Sequence, residues 1–235
     1  MKLRIVTLVM MLALFGGVFA RGPMAASAAQ ETASPAAQGD QFDLSTLEGA
    51  QSGVERTYSG DLTALLGAMA TPGAGAPDFS KIGLFSLQGS IITFDNADHA
   101  KAAVGTIGDQ VTKGASSSVM GAKLNQEQVD VGDNSTAFSA QIDQQGLSAS
   151  VFVVVAQKDA LVYLSIGIAF SGDSVKDDTV NFAKALVDGK ASDGEGDFKA
   201  DGTSTGGLWD KFPASDDGVL KGLKVESDKQ ISSGR

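Results

Sequence analysis

The sequence predicts an α+β domain: a mainly antiparallel sheet of about four to six strands, with two or three helices packed on it. Apolar, β-branched runs follow one another at close spacing, and amphipathic stripes of helical period follow two strand-like segments. The chain also has no cysteine, so an apolar core must hold the fold without disulfides. The 207 residues after position 28 suffice for one domain of ordinary size.

The first elements are a strand, a short helix and a second strand. Residues 54–58 alternate as a short strand, and residues 82–94 are apolar and β-branched. Between them, four apolar residues share one helical face and predict a short helix: Leu62, Leu65, Leu66 and Met69.

A longer helix is predicted over residues 96–113, because Asn96 offers an N-cap and apolar residues recur at helical spacing. These residues are Ala100, Val104, Ile107 and Val111. Gly105 and Gly108 interrupt this helix, at a cost of about 1 kcal/mol each relative to alanine.

Four strand-like runs come next: residues 123–131, 135–143, 147–157 and 160–170. The connections between them are short, which forces antiparallel neighbours, since a parallel crossover needs a dozen or more residues. In the third run Val151, Val153 and Val155 point to one face, while Phe152 and Val154 point to the other. This run and the next are therefore predicted to be central strands covered on both faces.

The last predicted helix begins near Asp173 or Ser174 and ends at Gly189, a natural C-terminal cap. Residues 191–207 hold Phe198 as their only large apolar residue, which is typical of an acidic Gly/Ser/Asp linker. The segment that follows regains hydrophobicity around Trp209, and we expect it to dock on the domain or on a partner.

The N-terminus has the order of a secretory signal peptide. Lys2 and Arg4 precede an apolar run over residues 5–20, and small residues follow, with cleavage expected after Ala28 or Ala29. A cut after Ala20 and an uncleaved anchor are the alternatives. The expected organisation is a signal peptide, a flexible leader, an α+β domain, a linker and a C-terminal segment, with these bounds: 1–28, 29–52, 53–190, 191–207 and 208–235.

Charge and composition restrict the partners. Removing residues 1–28 takes three basic residues and no acid, which changes the formal net charge from −10 to −13. A chain this acidic repels phosphate backbones, so we expect no nucleic acid and no anionic membrane surface as partner. The apolar run of residues 5–20 is short for a bilayer span, and we expect no transmembrane helix in the mature chain.

The sequence contains no complete catalytic or metal-binding motif. His99 is the single histidine, and no G-x-S-x-G motif accompanies it. Residues 193–197 alternate carboxylates and glycines like the start of a calcium loop, but Phe198 and Ser204 stand where that loop needs glycine and glutamate. We therefore predict no cofactor, no metal site and no catalytic residues.

One family resemblance is carried by the second half of the predicted domain, in residues 131–138, 150–157, 161–168 and 173–187. These segments resemble the C-terminal half of the small exported α+β domains of mycobacterial and related lipoproteins. They are also similar to the extracellular sensor domains of some bacterial Ser/Thr kinases. The resemblance covers at most residues 54–190, and the chain lacks the lipobox cysteine and cysteine pairs of that group. It implies sensing of a ligand or partner at the cell surface and assigns no functional residue.

These observations predict a non-catalytic, secreted or extracytoplasmic binding or interaction domain, whose partner is an unidentified extracellular ligand or envelope protein. The alternative is a carboxylate-dependent hydrolase acting on envelope material, which requires at least two of five acids to converge with His99: Asp95, Asp98, Glu127, Asp130 and Asp133. A third option is an assembly protein that pairs its sheet edge in a homodimer. The candidate ligand- or partner-binding residues are aromatic, with core packing as the alternative for each: Tyr58, Phe85, Tyr163, Trp209 and Phe212.

Overall fold

The fold is one antiparallel sheet of seven strands with a helix on each face, seen in a computed structural model that describes residues 44–60, 83–117, 124–144, 147–170, 175–214 and 216–232. The strands are β1 (Ala50–Ser59), β2 (Leu84–Phe94), β3 (Asn125–Glu127), β4 (Asn134–Gln144), β5 (Leu147–Lys158), β6 (Leu161–Ala169) and β7 (Lys224–Ser232). The helices are α1 (Ala97–Ser117) and α2 (Val175–Asp188). The predicted α+β class is confirmed, with a larger sheet than the four to six strands expected.

The strand order is β3-β4-β5-β6-β2-β1-β7, with every pairing antiparallel. Short connections make β4, β5 and β6 a meander, as the spacing of the apolar runs predicts. The tight turn between Lys158 and Leu161 uses Asp159 at φ 53°, a left-handed conformation that aspartate tolerates. The run predicted over residues 123–131 shortens to the three residues of β3, and β7 adds a strand from the C-terminal segment.

Helix α1 covers one face of the sheet. Its first turn is capped by Asn96, whose Oδ1 accepts the His99 backbone N–H at 2.9 Å. Ala100, Val104 and Ile107 of α1 are buried there, in agreement with the predicted apolar face. Valines 151, 153 and 155 of β5 belong to the same cluster.

Helix α2 covers the opposite face, and it packs close to the sheet because two strands carry glycine beneath it. A Cβ built at Gly167 would lie 1.9 Å from Thr179 Oγ1, and one at Gly89 would lie 2.8 Å from Leu186 Cδ1. Phe152 and Val154 point into this second cluster, so both faces of β5 are buried as predicted.

The C-terminal segment packs on the α2 face and then completes the sheet. Trp209 is 1% exposed and Phe212 is buried, both in the cluster formed with α2. β7 then pairs with β1 from Ser52↔Ser232 to Ser59↔Lys224. The ordered sheet therefore continues beyond residue 190.

Val153→Asp is expected to abolish the cooperative folding of the domain. Val153 of β5 is 7% exposed and belongs to the apolar cluster beneath α1, where a carboxylate would lose its hydration among apolar side chains. Thermal denaturation followed by circular dichroism measures the effect. A melting temperature equal to that of the wild type would contradict the placement of Val153 in the core.

Three sequence-based expectations lie outside the described residues: the signal peptide of residues 1–28, the short helix at residues 62–69 and the start of the last helix at Asp173 or Ser174. Among the described helices, none is long and apolar enough to cross a membrane.

Candidate functional site

A polar groove lies between the second half of α1 and the sheet edge formed by β3 and β4. We call it the α1–β4 groove, and it encloses about 290 Å³. Helix α1 provides one wall and the strands the other, with Val104 and Phe138 as its apolar part. The lining residues are Val104, Gly105, Gly108, Asp109, Thr112, Gln126, Gln128, Asn134, Ser135, Thr136 and Phe138.

Two glycines of α1 keep the helical wall of the α1–β4 groove low. A Cβ built at Gly105 would meet no atom within 4 Å, and one at Gly108 would lie 3.1 Å from Phe138 Cζ. The sequence predicts only that these glycines destabilise the helix. The structure shows that both line the groove, and that a larger side chain at residue 105 would extend into it.

Some polar side chains of the lining are hydrogen-bonded to other protein groups, and some are not. Gln126 Nε2 donates to Thr136 Oγ1 at 3.1 Å, and Ser135 Oγ donates to the Val129 carbonyl at 2.6 Å. In contrast, three side chains make no hydrogen bond within the described part of the chain: Asp109, Gln128 and Asn134. One carboxylate and two amides are therefore available to a ligand.

Gly105→Ala is expected to raise the free energy of unfolding by about 1 kcal/mol, because alanine favours the helix interior and its Cβ meets no atom here. Chemical denaturation measures the gain. Gly167→Ala provides the control, since its Cβ collides with Thr179 Oγ1 and must destabilise the chain. A loss of stability in Gly105→Ala would show that the wall at residue 105 is not open.

The five aromatic residues singled out in the sequence are all buried, with at most 6% exposure. Four of them meet in the cluster on the α2 face: Tyr58, Tyr163, Trp209 and Phe212. Phe85 packs against Phe170 instead, with ring centroids 5.3 Å apart. Burial raises the pKa of both tyrosines. A ligand-binding role for these residues stays a prediction, while the structure shows them inside the core.

Beneath Trp209 lies a buried ion pair that sequence reasoning missed. Arg56 of β1 donates from Nε to Asp228 Oδ1 at 2.6 Å and from Nη2 to Asp228 Oδ2 at 2.7 Å. Nη2 also donates to the Ser204 carbonyl at 2.8 Å, and the guanidinium carbon lies 5.5 Å from the Trp209 ring centroid and 5.3 Å from that of Phe212. The ion pair therefore links β1 to β7 and to the loop that contains Ser204.

The loop before Trp209 is ordered by its glycines rather than by apolar burial. Asp197 and Thr205 pair as a β-bridge, and Ser192 N–H donates to the Gly207 carbonyl at 3.2 Å. Gly207 has φ 56°, and a Cβ there would lie 2.6 Å from the Gly194 carbonyl oxygen. Phe198, 38% exposed, stacks on Trp209 with centroids 6.0 Å apart. The composition predicts a linker here because few apolar residues are present, whereas the loop is ordered by backbone hydrogen bonds and glycine turns.

Of the carboxylates named for the hydrolase alternative, Asp95 and Asp98 lie near His99 at the start of α1, while Glu127 and Asp133 lie elsewhere in the fold. Asp95 is in direct contact, with its Oδ1 2.6 Å from His99 Nδ1, and this hydrogen bond raises the pKa of the imidazole. Glu127, however, pairs with Lys176 of α2. Asp133 precedes β4, and the strands β5 and β6 separate β4 from β2. Among the residues that the structure describes, no three His, Asp or Glu side chains gather in a way that would hold a metal ion.

Glu55→Gln is expected to stabilise the chain above the pH range in which glutamates ordinarily titrate. Glu55 is buried on the α1 face of β1, where Ser90 Oγ donates to its Oε2 at 3.2 Å. Burial raises the pKa of Glu55, against the smaller opposing effect of Lys229. Folded protein therefore binds more protons than unfolded protein, and wild-type stability falls as pH rises from the unfolded pKa through the folded pKa.

Chemical denaturation of wild type and Glu55→Gln across a pH series tests this. The advantage of the variant must be smallest in acid and must grow as pH rises. An advantage that does not change with pH would show that ionisation of Glu55 costs nothing in the fold.

Comparison with known proteins finds one distant structural likeness. No family model matches the chain, and none of the curated proteins compared with it matches either. The crystal structure of the extracellular domain of PknH from Mycobacterium tuberculosis is 12% identical, and the match covers 60% of this chain and 85% of that chain at a TM-score of 0.33. The likeness is weak and concerns the fold alone.

Proposed function

We propose that the chain is a non-catalytic binding domain that works outside the cytoplasm and takes its ligand in the α1–β4 groove. The observation that carries the proposal is the groove itself, about 290 Å³ of space bordered by polar side chains that the described fold leaves unbonded. Asp109 and Gln128 are exposed and Asn134 is half-buried, so a ligand with matching groups can reach all three side chains.

The charge of the lining selects the ligand. Among the described residues that border the groove, Asp109 is the only ionisable one. An anionic ligand would find no cation among these described residues and would meet a chain of net charge −10. The proposed ligand is therefore neutral or basic.

Work outside the cytoplasm is supported by the order of basic, apolar and small residues in positions 1–28. On this proposal the mature chain begins near Ala29 or Gln30 and carries a leader ahead of the domain. Its partner is then an extracellular ligand or an envelope protein.

The geometry does not favour the hydrolase alternative. Acid–base cleavage of a glycosidic bond needs two carboxyl groups about 5 to 9 Å apart across the substrate. Asp95 is held by His99, and Glu127 is held by Lys176. The carboxylates of Asp95 and Glu127 therefore belong to two separate ion pairs.

Native mass spectrometry of the full chain purified from its own source tests the proposal. Wild type is expected to carry additional mass, and Gly105→Leu, whose side chain fills the groove, is expected to lose it. Thr106→Leu is the matched control, since Thr106 is exposed on the same helix and does not line the groove. Additional mass that persists in Gly105→Leu, or a bare wild-type chain, would contradict binding in the groove.

A further inference from the structure

We infer that the ligand of the α1–β4 groove is an extended peptide segment of a partner protein, which adds a strand beside β3. The inference rests on the proposed function and names the chemical class of its ligand. It depends on the edge strand that borders the groove, on the length of the groove and on the hydrogen-bonding groups of its lining.

The edge strand supplies main-chain groups. β3 is the last strand in the sheet order, and in the described part of the chain it pairs with β4 alone. Its outer N–H and C=O groups therefore lack strand partners there, as in the sheet edges that accept peptides by strand addition. Gln126 of β3 lies opposite Phe138 and lines the groove, so the strand that carries this edge also borders the groove.

The dimensions suit a short extended chain. From Val104 to Thr112 the helix rises about 12 Å at about 1.5 Å per residue. An extended peptide rises about 3.3 Å per residue, so the groove spans about four residues. The low wall at Gly105 lets a peptide backbone approach α1, where a larger side chain would occupy the space.

The lining suits amide groups better than sugars or anions. Gln128 and Asn134 each offer a donor and an acceptor, the pair of groups that a peptide unit presents. Sugar sites commonly use an aromatic face, but Phe138, the one aromatic residue that the structure describes in the lining, is only 3% exposed. Because Asp109 is the only charged residue in the described part of the lining, a peptide with lysine or arginine is favoured over an acidic one.

A bead library of random acetyl-hexapeptide amides provides the probe. Peptides selected by the full chain are expected to be poor in Asp and Glu and to shift the amide resonances of residues 126–128 and 134–138. N-methylation at alternate residues of a selected peptide removes main-chain donors, and it is expected to weaken binding at least tenfold. Gly105→Leu is expected to weaken binding at least tenfold as well, while Thr106→Leu stays within twofold of wild type.

The outcomes separate this inference from the proposed function. If selected peptides bind in the groove but N-methylation changes nothing, strand addition is overturned while the groove remains a binding site. If no peptide shifts the groove resonances, yet Gly105→Leu removes the additional mass seen in native mass spectrometry, the ligand belongs to another chemical class. If Gly105→Leu leaves both bound mass and peptide affinity unchanged, the proposed function fails with the inference.

Discussion

Asp228→Asn is expected to lower the free energy of unfolding by about 3 to 5 kcal/mol, the range observed when one partner of a buried ion pair is removed. The Asp228 side chain has no exposed surface and that of Arg56 is 9% exposed, so water cannot solvate the guanidinium that loses its partner. Both carboxylate oxygens accept hydrogen bonds, and Oδ2 also accepts the Ser204 backbone N–H at 3.0 Å. An amide in the same space retains one acceptor oxygen and sets donor hydrogens against the guanidinium.

Chemical denaturation of the full chain measures this loss, and the same substitution on an exposed pair provides the control. Asp197→Asn removes a partner of Lys199 at 3.4 Å, where both side chains are more than half exposed. Exposed pairs contribute less than about 1 kcal/mol, so this variant should unfold almost as wild type does. Equal losses in the two variants would mean that the Arg56–Asp228 pair is as solvated as a surface pair.

This ion pair also shows what the sequence cannot predict. Arg56 and Asp228 lie 172 positions apart, and each stands in a segment whose local pattern offers no hint of the other. Local periodicity reports which face of a strand is apolar, but it does not report which strand lies beside it. Only the placement of β7 next to β1 brings the two charges together.

The same distinction explains why β5 was predicted and β7 was not. In β5 both faces are buried, so its valines and phenylalanine form a nearly continuous apolar run. In β7 the residues are mostly polar, and Val225 and Ile231 are its only large apolar side chains. Such a strand is stabilised by main-chain pairing with β1 and by the buried Asp228. Neither interaction produces a hydrophobic pattern in the sequence of the strand.

The sequence does not predict the groove. Gly105 and Gly108 were recognisable as costly residues inside a predicted helix, which is a signal that something other than helix stability selects them. Their meaning depends on which part of the sheet α1 crosses, and the sequence does not contain that information in any local pattern. Rarity makes the aromatic residues conspicuous in this sequence, although large aromatic side chains are most often buried.

Truncation after Gly189 is expected to abolish the cooperative unfolding transition of the domain. The cut removes β7 and leaves β1 as an unpaired edge along most of its length. It also removes Trp209, Phe212, Leu220 and Leu223, which are buried in the cluster on the α2 face. Loss of one such aromatic residue costs about 3 to 5 kcal/mol, and a domain has only about 5 to 15 kcal/mol to lose.

Thermal denaturation of the truncated chain measures this result, with two further variants to separate its causes. A chain that stops after Ser232 keeps all of β7 and should melt as wild type does. Trp209→Ala keeps the strand pairing and should unfold cooperatively at a lower temperature, because it loses the packing of one ring against Phe198, Phe212 and Arg56. If the chain cut at Gly189 melted at the wild-type temperature, the C-terminal segment would contribute nothing to the fold. Its aromatic residues would then be free for the partner that the sequence first suggested.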